Sequence, residues 1–562
     1  MTVGDRLDLL AKDWRGPVLA ALVALVAALP GALALPPLDR DESRFAQASA
    51  QMLETGDFVS IRFQDTPRFK KPVGIYWLQA AAVKVFSNVE SREIWSFRIP
   101  SILGAMLAAA ACAWGAAGAF GPRAGLLAGV MLGSSFLLST EADIAATDAA
   151  LAGAVTLAMA ALSRLYLAAR GGPSAGRWPK ILLWAGMALS ILLKGPIAPM
   201  IVLLTIAALC AWDRRIGWLK TLGWGWGLIA VVAAVGPWAM AISVASDGAF
   251  WGAAVGGDLA PKLMGGQEGH GAPPLFYAAL APFMLFPAAL ALPAGLAAGW
   301  RARAEPGVRF ALCWLVPAWL VFELTPTKLV HYTLPLYGAL AWLMARALAE
   351  PLGRSARWSG AVLTALAGLL FAVAGFVAMS RLGDYAGEPW ALTAGLLFLL
   401  AAGLGAGMLL RGRAVGAVAV AASVALVAHG VLVGALVPAL RPLWLSSRAA
   451  KALAMVDLSP LQGVTPGPVT VAGYEEPSIV FLLGTNTELG DADDAATAIV
   501  EGRPAIVEGR ADAAFQSELT RQGVKAIRVG EGAGLDYSNN HHDILRIYRP
   551  VPGPSLQWES AR

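Results

Sequence analysis

Charge is scarce in this sequence. Only 14% of its 562 residues are Asp, Glu, Lys or Arg, where a soluble surface normally carries about a quarter. That excludes a soluble multidomain enzyme. Cysteine is scarcer still. Cys112, Cys210 and Cys313 each sit in an apolar stretch, and no CxxC occurs, which excludes a disulfide framework and a structural zinc site. The formal charge of +5 is spread thinly between apolar runs, so the chain does not read as a nucleic-acid binder. No glycine-rich phosphate motif of the Walker or Rossmann type is present, which argues against an ATP-driven pump. The apolar runs are continuous rather than alternating, which excludes a β-barrel. What remains is a chain that is 57% hydrophobic, with runs of membrane-spanning length from residue 16 to residue 438. It is a polytopic membrane protein.

About thirteen spans are expected, near 14–37, 98–120, 124–141, 145–169, 179–195, 197–212, 218–245, 274–300, 308–324, 329–349, 358–380, 389–410 and 414–438. The first is long and its basic flank is offset by Asp5, Asp8 and Asp13, so it reads as a span rather than a cleaved signal. One set of short loops carries most of the basic residues, among them Arg170, Arg177, Lys180, Arg214, Arg215, Arg301, Arg303, Arg346, Arg354 and Arg411. That set is expected in the cytoplasm. The loop 38–97, the loop 246–273 and the tail after 440 then lie outside. The expected division is a transmembrane catalytic domain over 1–440 and a small extracytoplasmic α/β domain over 441–562. The tail holds 11 basic against 15 acidic residues. Short apolar segments at Val469–Gly473, Ser478–Leu483, Ala498–Val500 and Ala526–Val529 suggest strands there, with a helix at 509–521. His541-His542-Asp543 reads as a surface turn before a strand rather than a metal site.

The first outer loop is the most charged part of the membrane region. It holds Asp41, Glu42, Arg44, Arg62, Arg68, Lys70 and Lys71. Basic residues at an outer face against the positive-inside trend suggest an anion site, a base beside a phosphate clamp. Residues 43–54 and 72–87 suit short interfacial helices. Other ionisable residues fall at the outer ends of spans: Glu141, Asp143, Asp148, Lys194 and Lys328. Such groups are costly at this depth unless paired or used.

These residues carry a resemblance. Asp41-Glu42-Ser43-Arg44-Phe45-Ala46, Gly56-Asp57-Phe58, Lys71-Pro72-Val73-Gly74-Ile75-Tyr76-Trp77-Leu78, Leu193-Lys194-Gly195-Pro196, Gln267-Glu268-Gly269-His270-Gly271, Thr327-Lys328-Leu329-Val330-His331-Tyr332 and the tail stretch Val471 to Thr485 are similar to the ArnT-like glycosyltransferases. That family takes a sugar from a polyprenyl phosphate carrier. The resemblance implies an all-α GT-C fold with an outward-facing cavity under the first loop, in a bacterial inner membrane. The family's first-loop Asp maps onto Asp41, its loop Lys onto Lys71 and its Tyr onto Tyr332, and Asp258 or His270 stands near a further expected ligand position. Together with the charge of the first loop and of the span ends, this gives Asp41, Glu42 and Lys71 as candidate catalytic residues and Arg44, Arg62, Arg68, Lys70, Lys194, Lys328 and Tyr332 for donor binding, with Asp148, Asp258 and His270 as further site residues. Relatives that transfer aminoarabinose tend to carry Glu, linked to metal binding, where this chain has Lys70. No cofactor is therefore assigned. A divalent metal is the one candidate, and Lys70 argues against it.

The implied reaction moves a sugar from polyprenyl phosphate to lipid A, lipopolysaccharide or another envelope acceptor, with inversion. Partners are the lipid-linked donor, the acceptor and membrane lipids, with no nucleic acid; a monomer suffices. The rival reading is a secondary transporter or lipid flippase, but no internal repeat is visible and the charge gathers at one face.

Overall fold

The computed structural model describes residues 8–265, 271–462 and 467–551. Most of the chain is helical, because a backbone in lipid must satisfy its own hydrogen bonds. Among the described residues, eight helices are long and apolar enough to cross a membrane, and ten if two bent pairs each count as one span. The count of about thirteen is not reached by length. Three of the expected runs fold as helices of 17, 17 and 11 residues: Trp178–Lys194, Ile197–Asp213 and Tyr337–Ala347.

The helix Asp148–Ala168 lies at the centre and is buried over most of its length. It packs on Ile94–Phe120 through small residues. An ideal Cβ on Gly104 would stand 2.4 Å from the Ala150 Cα, so only glycine admits this approach, as is usual between membrane helices. Trp224–Ala245 lies at the periphery, with few buried residues.

Between the first two spans the chain folds into helices Asp41–Thr55 and Gly74–Phe86 and a short hairpin pairing Arg62–Phe63 with Thr66–Pro67. The first of these helices buries Phe45, Ala46, Ala48, Ala50 and Met52. The helix expected over 43–54 is thus present, packed against the rest of the protein along most of its length.

The tail forms a five-stranded sheet in the order Glu488–Gly490, Thr470–Ala472, Ala505–Glu508, His541–Pro550, Ala526–Asp536. The first three strands are parallel and the last two run antiparallel. Parallel neighbours need crossovers, and the helices Pro477–Leu483 and Ala492–Val500 provide them. Two segments expected as strands, Ser478–Leu483 and Ala498–Val500, are thus helical. Pro477 sits in the first turn of its helix, where its missing N–H costs nothing. The helix expected over 509–521 is Asp512–Arg521. His541 and His542 open a strand and are exposed, while Asp543 is buried and paired with Arg510.

Candidate active site

A cavity of about 580 Å³ opens where the first loop, the loop after residue 141, the segment 257–262 and the turn 327–332 converge. Asp41, Arg44, Arg68, Lys70, Lys71, Asp148, Lys194, Asp258 and Tyr332 all line it. A narrower apolar cleft of about 210 Å³ adjoins it, walled by Leu151, Ile197, Met200, Leu259, Phe322 and Pro335. Lys71, Asp148, Lys194, Asp258, Lys262, His331 and Tyr332 border both spaces. A charged chamber therefore meets a greasy slot across a rim of cations.

Most carboxylates on this rim are engaged. Asp258 accepts from Lys71 at 2.8 Å and from Lys262 at 2.7 Å. Burial alone would raise its pKa, but the two lysines hold it below the ordinary carboxylate value. Asp148 pairs with Lys194, whose ammonium also lies 5.4 Å from the Tyr332 ring centre. His331 bridges two carboxylates: its Nδ1 is 3.3 Å from Glu141 and its Nε2 is 3.6 Å from Asp148. Asp41 differs. Its side chain is 73% exposed to the chamber, with the nearest cation, Arg68, 3.5 Å away. Arg68 is itself fixed over the Phe45 ring at 5.1 Å.

Glu42 lies in the cavity wall but is 1% exposed. Arg98 donates to both of its oxygens at 2.8 Å, and the backbone N–H groups of Ala145 and Leu38 donate to them at 2.7 and 2.8 Å. A carboxylate so saturated has no lone pair directed at a substrate. Glu42, expected among the catalytic residues, is here paired with Arg98, not with Arg40 or Arg44, and turns no free oxygen toward the chamber.

Two further expected residues lie apart from the chamber. Lys328 is buried, and its ammonium donates to the carbonyls of Glu323 and Thr325 at 2.8 and 2.6 Å. It closes the C-terminal end of the helix Pro306–Leu324, where a cation satisfies orphan carbonyls, and it does not line the chamber. Arg62 is exposed on the hairpin and also lies outside it. His270 lies outside the described residues. Sequence reasoning noted Glu141 only as an ionisable residue at the outer end of a span, and did not single out His331 or Lys262. His331 stood beside Tyr332 in a segment already quoted, so adjacency was an available signal.

The metal implied by resemblance does not fit its expected position. Lys70 is a cation there, and Asp258 is already neutralised by two lysines. Elsewhere, among the described residues, Glu141, Asp148 and His331 bring ligand-type atoms within 4.8 Å of one another. Lys194 already occupies Asp148, so a cation entering this group would have to displace an ammonium.

The family model described as dolichyl-phosphate-mannose-protein mannosyltransferase matches residues 38–247. The undecaprenyl phosphate-alpha-4-amino-4-deoxy-L-arabinose arabinosyl transferase 2 of Pseudomonas fluorescens is 29% identical over 348 residues, 61% of either chain. The corresponding transferase of Pseudomonas aeruginosa is 31% identical over 371 residues, 64% of this chain and 65% of the relative. The chain thus spans less than two thirds of the length of these relatives. The crystal structure of ArnT from Cupriavidus metallidurans bound to undecaprenyl phosphate superposes with a TM-score of 0.75 at 20% identity, covering 94% of this chain and 97% of that one. The fold is that of ArnT. The apo form of the same ArnT gives 0.73 at 21% identity. ArnT likeness in sequence therefore accompanies ArnT likeness in architecture, and the resemblance expected from the short motifs holds along most of the chain. The chain is a multi-pass membrane protein with the fold of ArnT.

Proposed function

We propose that the chain is an integral-membrane glycosyltransferase that moves a sugar from a polyprenyl phosphate carrier to lipid A, lipopolysaccharide or another envelope acceptor at the outer face of a bacterial inner membrane. The observation that carries this reading is the junction of chamber and cleft. A polyprenyl chain suits the apolar cleft, and its phosphate then falls at the rim, near Lys71, Lys194 and Tyr332. The sugar extends into the chamber, toward Asp41.

The chemistry follows from that placement. The acceptor hydroxyl oxygen attacks the anomeric carbon, and the bond from that carbon to the phosphate oxygen breaks. Its electron pair stays on the departing phosphate, where preorganised cations stabilise the growing charge. Asp41, the exposed carboxylate, takes the hydroxyl proton. One displacement inverts the anomeric centre. No step uses a metal.

Burial, together with Lys194 nearby, lowers the Lys71 ammonium from its ordinary value to about 8. Its charge is therefore present below that pH and lost as pH rises through it. Affinity for polyprenyl phosphate should fall across that limb, whereas affinity for the uncharged polyprenol should not. Lys71→Arg keeps its charge far above this range and should move the limb to higher pH; Lys71→Ala should abolish it. Binding of the two lipids to purified protein, measured against pH, tests the phosphate clamp. Equal affinity for both lipids at every pH would remove it.

The outward orientation rests on loop charge. Single cysteines at Asn88 and Asn540, both exposed, introduced after replacing Cys112, Cys210 and Cys313, should react with a membrane-impermeant maleimide in intact spheroplasts. Reaction only after lysis would reverse the orientation.

A further inference from the structure

The backbone immediately before Asp41 is strained. Arg40 has φ +60° and ψ −107°, a conformation that glycine enters readily and other residues do not. It forms a corner between the extended segment after the first span and the helix Asp41–Thr55. Arg40 is not glycine, so something outside the corner must hold it.

Glu42 spans the corner by accepting from the Leu38 N–H at 2.8 Å, and the tail grips it from outside. The Asp39 backbone N–H donates to the Tyr537 hydroxyl at 2.6 Å. The Ser478 hydroxyl donates to the Asp39 carboxylate. The Arg40 guanidinium donates to the Ser538 carbonyl at 2.5 Å. Behind them, Ser446 links Ser478 to Tyr474 in a chain of buried hydroxyls. These contacts join residues more than 430 positions apart in the sequence. The grip extends along the same helix: Gln47 donates to the Thr485 hydroxyl at 2.7 Å. Yet the described residues lining the chamber include none from the tail. The tail therefore reaches the chamber through the first loop: at the corner, at Gln47, and at Gln64 in the hairpin, which donates to the Thr485 carbonyl at 3.0 Å.

We propose that the C-terminal domain is a clamp that imposes the strained Asp39–Arg40 corner and so aims Asp41 at the reacting sugar, with Tyr537 and Ser478 as positioning residues. The proposal rests on the reading that Asp41 acts in transfer. Misplacing a reacting group by about 1 Å can cost on the order of 10²-fold in rate. A clamp on the corner next to Asp41 should therefore act on turnover. It should leave donor affinity alone, because Lys71, Lys194 and Tyr332 sit on other contacts.

The test combines Tyr537→Phe with Ser478→Ala in the full-length protein and then adds Arg40→Gly. The double variant should lose at least about tenfold in kcat with KM for the lipid donor unchanged. Adding Arg40→Gly should recover much of that loss, because glycine takes the corner conformation without help. Hydrogen exchange of residues 38–44 should accelerate in the double variant while exchange in the spans does not. A double variant with wild-type kcat and wild-type exchange at 38–44 would overturn the clamp. So would a kcat loss that Arg40→Gly fails to recover, which marks damage to the tail rather than release of the corner. If wild-type protein transfers no sugar, the reading of Asp41 fails, and exchange at 38–44 still decides whether the tail holds the corner.

Discussion

Asp41→Asn should give a folded protein whose sugar transfer is slower by about 10²-fold or more, the scale of a lost proton-transfer group. The substitution keeps the size of the side chain and removes its charge. It costs little in folding, because Asp41 is 73% exposed and its one ion pair, with Arg68 at 3.5 Å, is long. Exposed pairs contribute about 0–1 kcal/mol. Other carboxylates on the rim are tied to cations: Asp148 to Lys194, Asp258 to Lys71 and Lys262. Replacing Asp148 or Asp258 should therefore disturb donor binding as well as rate, through the freed lysine. Replacing Asp41 should affect kcat alone. Steady-state kinetics on detergent-purified variants separates the two. An Asp41→Asn protein with wild-type kcat would remove Asp41 from the mechanism.

The second large effect is on the fold. Arg98→Met should destabilise the protein by about 3–5 kcal/mol, the range for breaking a buried ion pair by removing one partner. Arg98 is wholly buried and donates to Glu42 through two nitrogens. It also donates to the carbonyls of Leu35 at 2.7 Å, Pro36 at 3.0 Å and Ala32 at 3.1 Å, which closes the end of the first span. Glu42 in turn holds the N–H groups of Leu38 and Ala145. One pair thus ties the first span, the start of the first loop and the segment before Asp148. Glu42→Gln, which leaves Arg98 charged and buried, should be of the same class. Thermal unfolding in detergent, followed by size-exclusion chromatography, measures both. Unfolding midpoints equal to wild type would show that the pair carries nothing.

The membrane region was legible because hydrophobic runs dictate helices wherever backbone bonds cannot reach water. The charged first loop was legible because charge against the positive-inside trend is unusual. Roles inside that loop were not. Glu42 and Asp41 are adjacent and chemically alike, and what separates them is Arg98, which lies 56 positions from Glu42 at the start of an apolar run. Nothing local marks it as their arbiter. Lys328 and Lys194 likewise look equivalent as lone cations at span ends. One turns back onto carbonyls of its own helix end, and the other meets Asp148 from a different helix. In the tail, the five apolar residues at 479–483 suit a strand or a buried helix equally by periodicity, and Pro477, just upstream, was the discriminating residue. The clamp on Asp39 and Arg40 had no local signal at all, because both of its halves are ordinary polar residues far apart in the chain.

A chamber that breaks a sugar–phosphate bond on a polyprenyl carrier must release both products of that cleavage. The direct measurement incubates purified wild-type protein with synthetic polyprenyl phosphate pentoses and hexoses and with lipid A, then follows both lipids by mass spectrometry. Sugar-free polyprenyl phosphate and sugar-bearing acceptor should appear in equal amounts, both forming about 10²-fold or more slower in Asp41→Asn. Folded protein that binds these donors yet leaves every sugar–phosphate bond intact would contradict it.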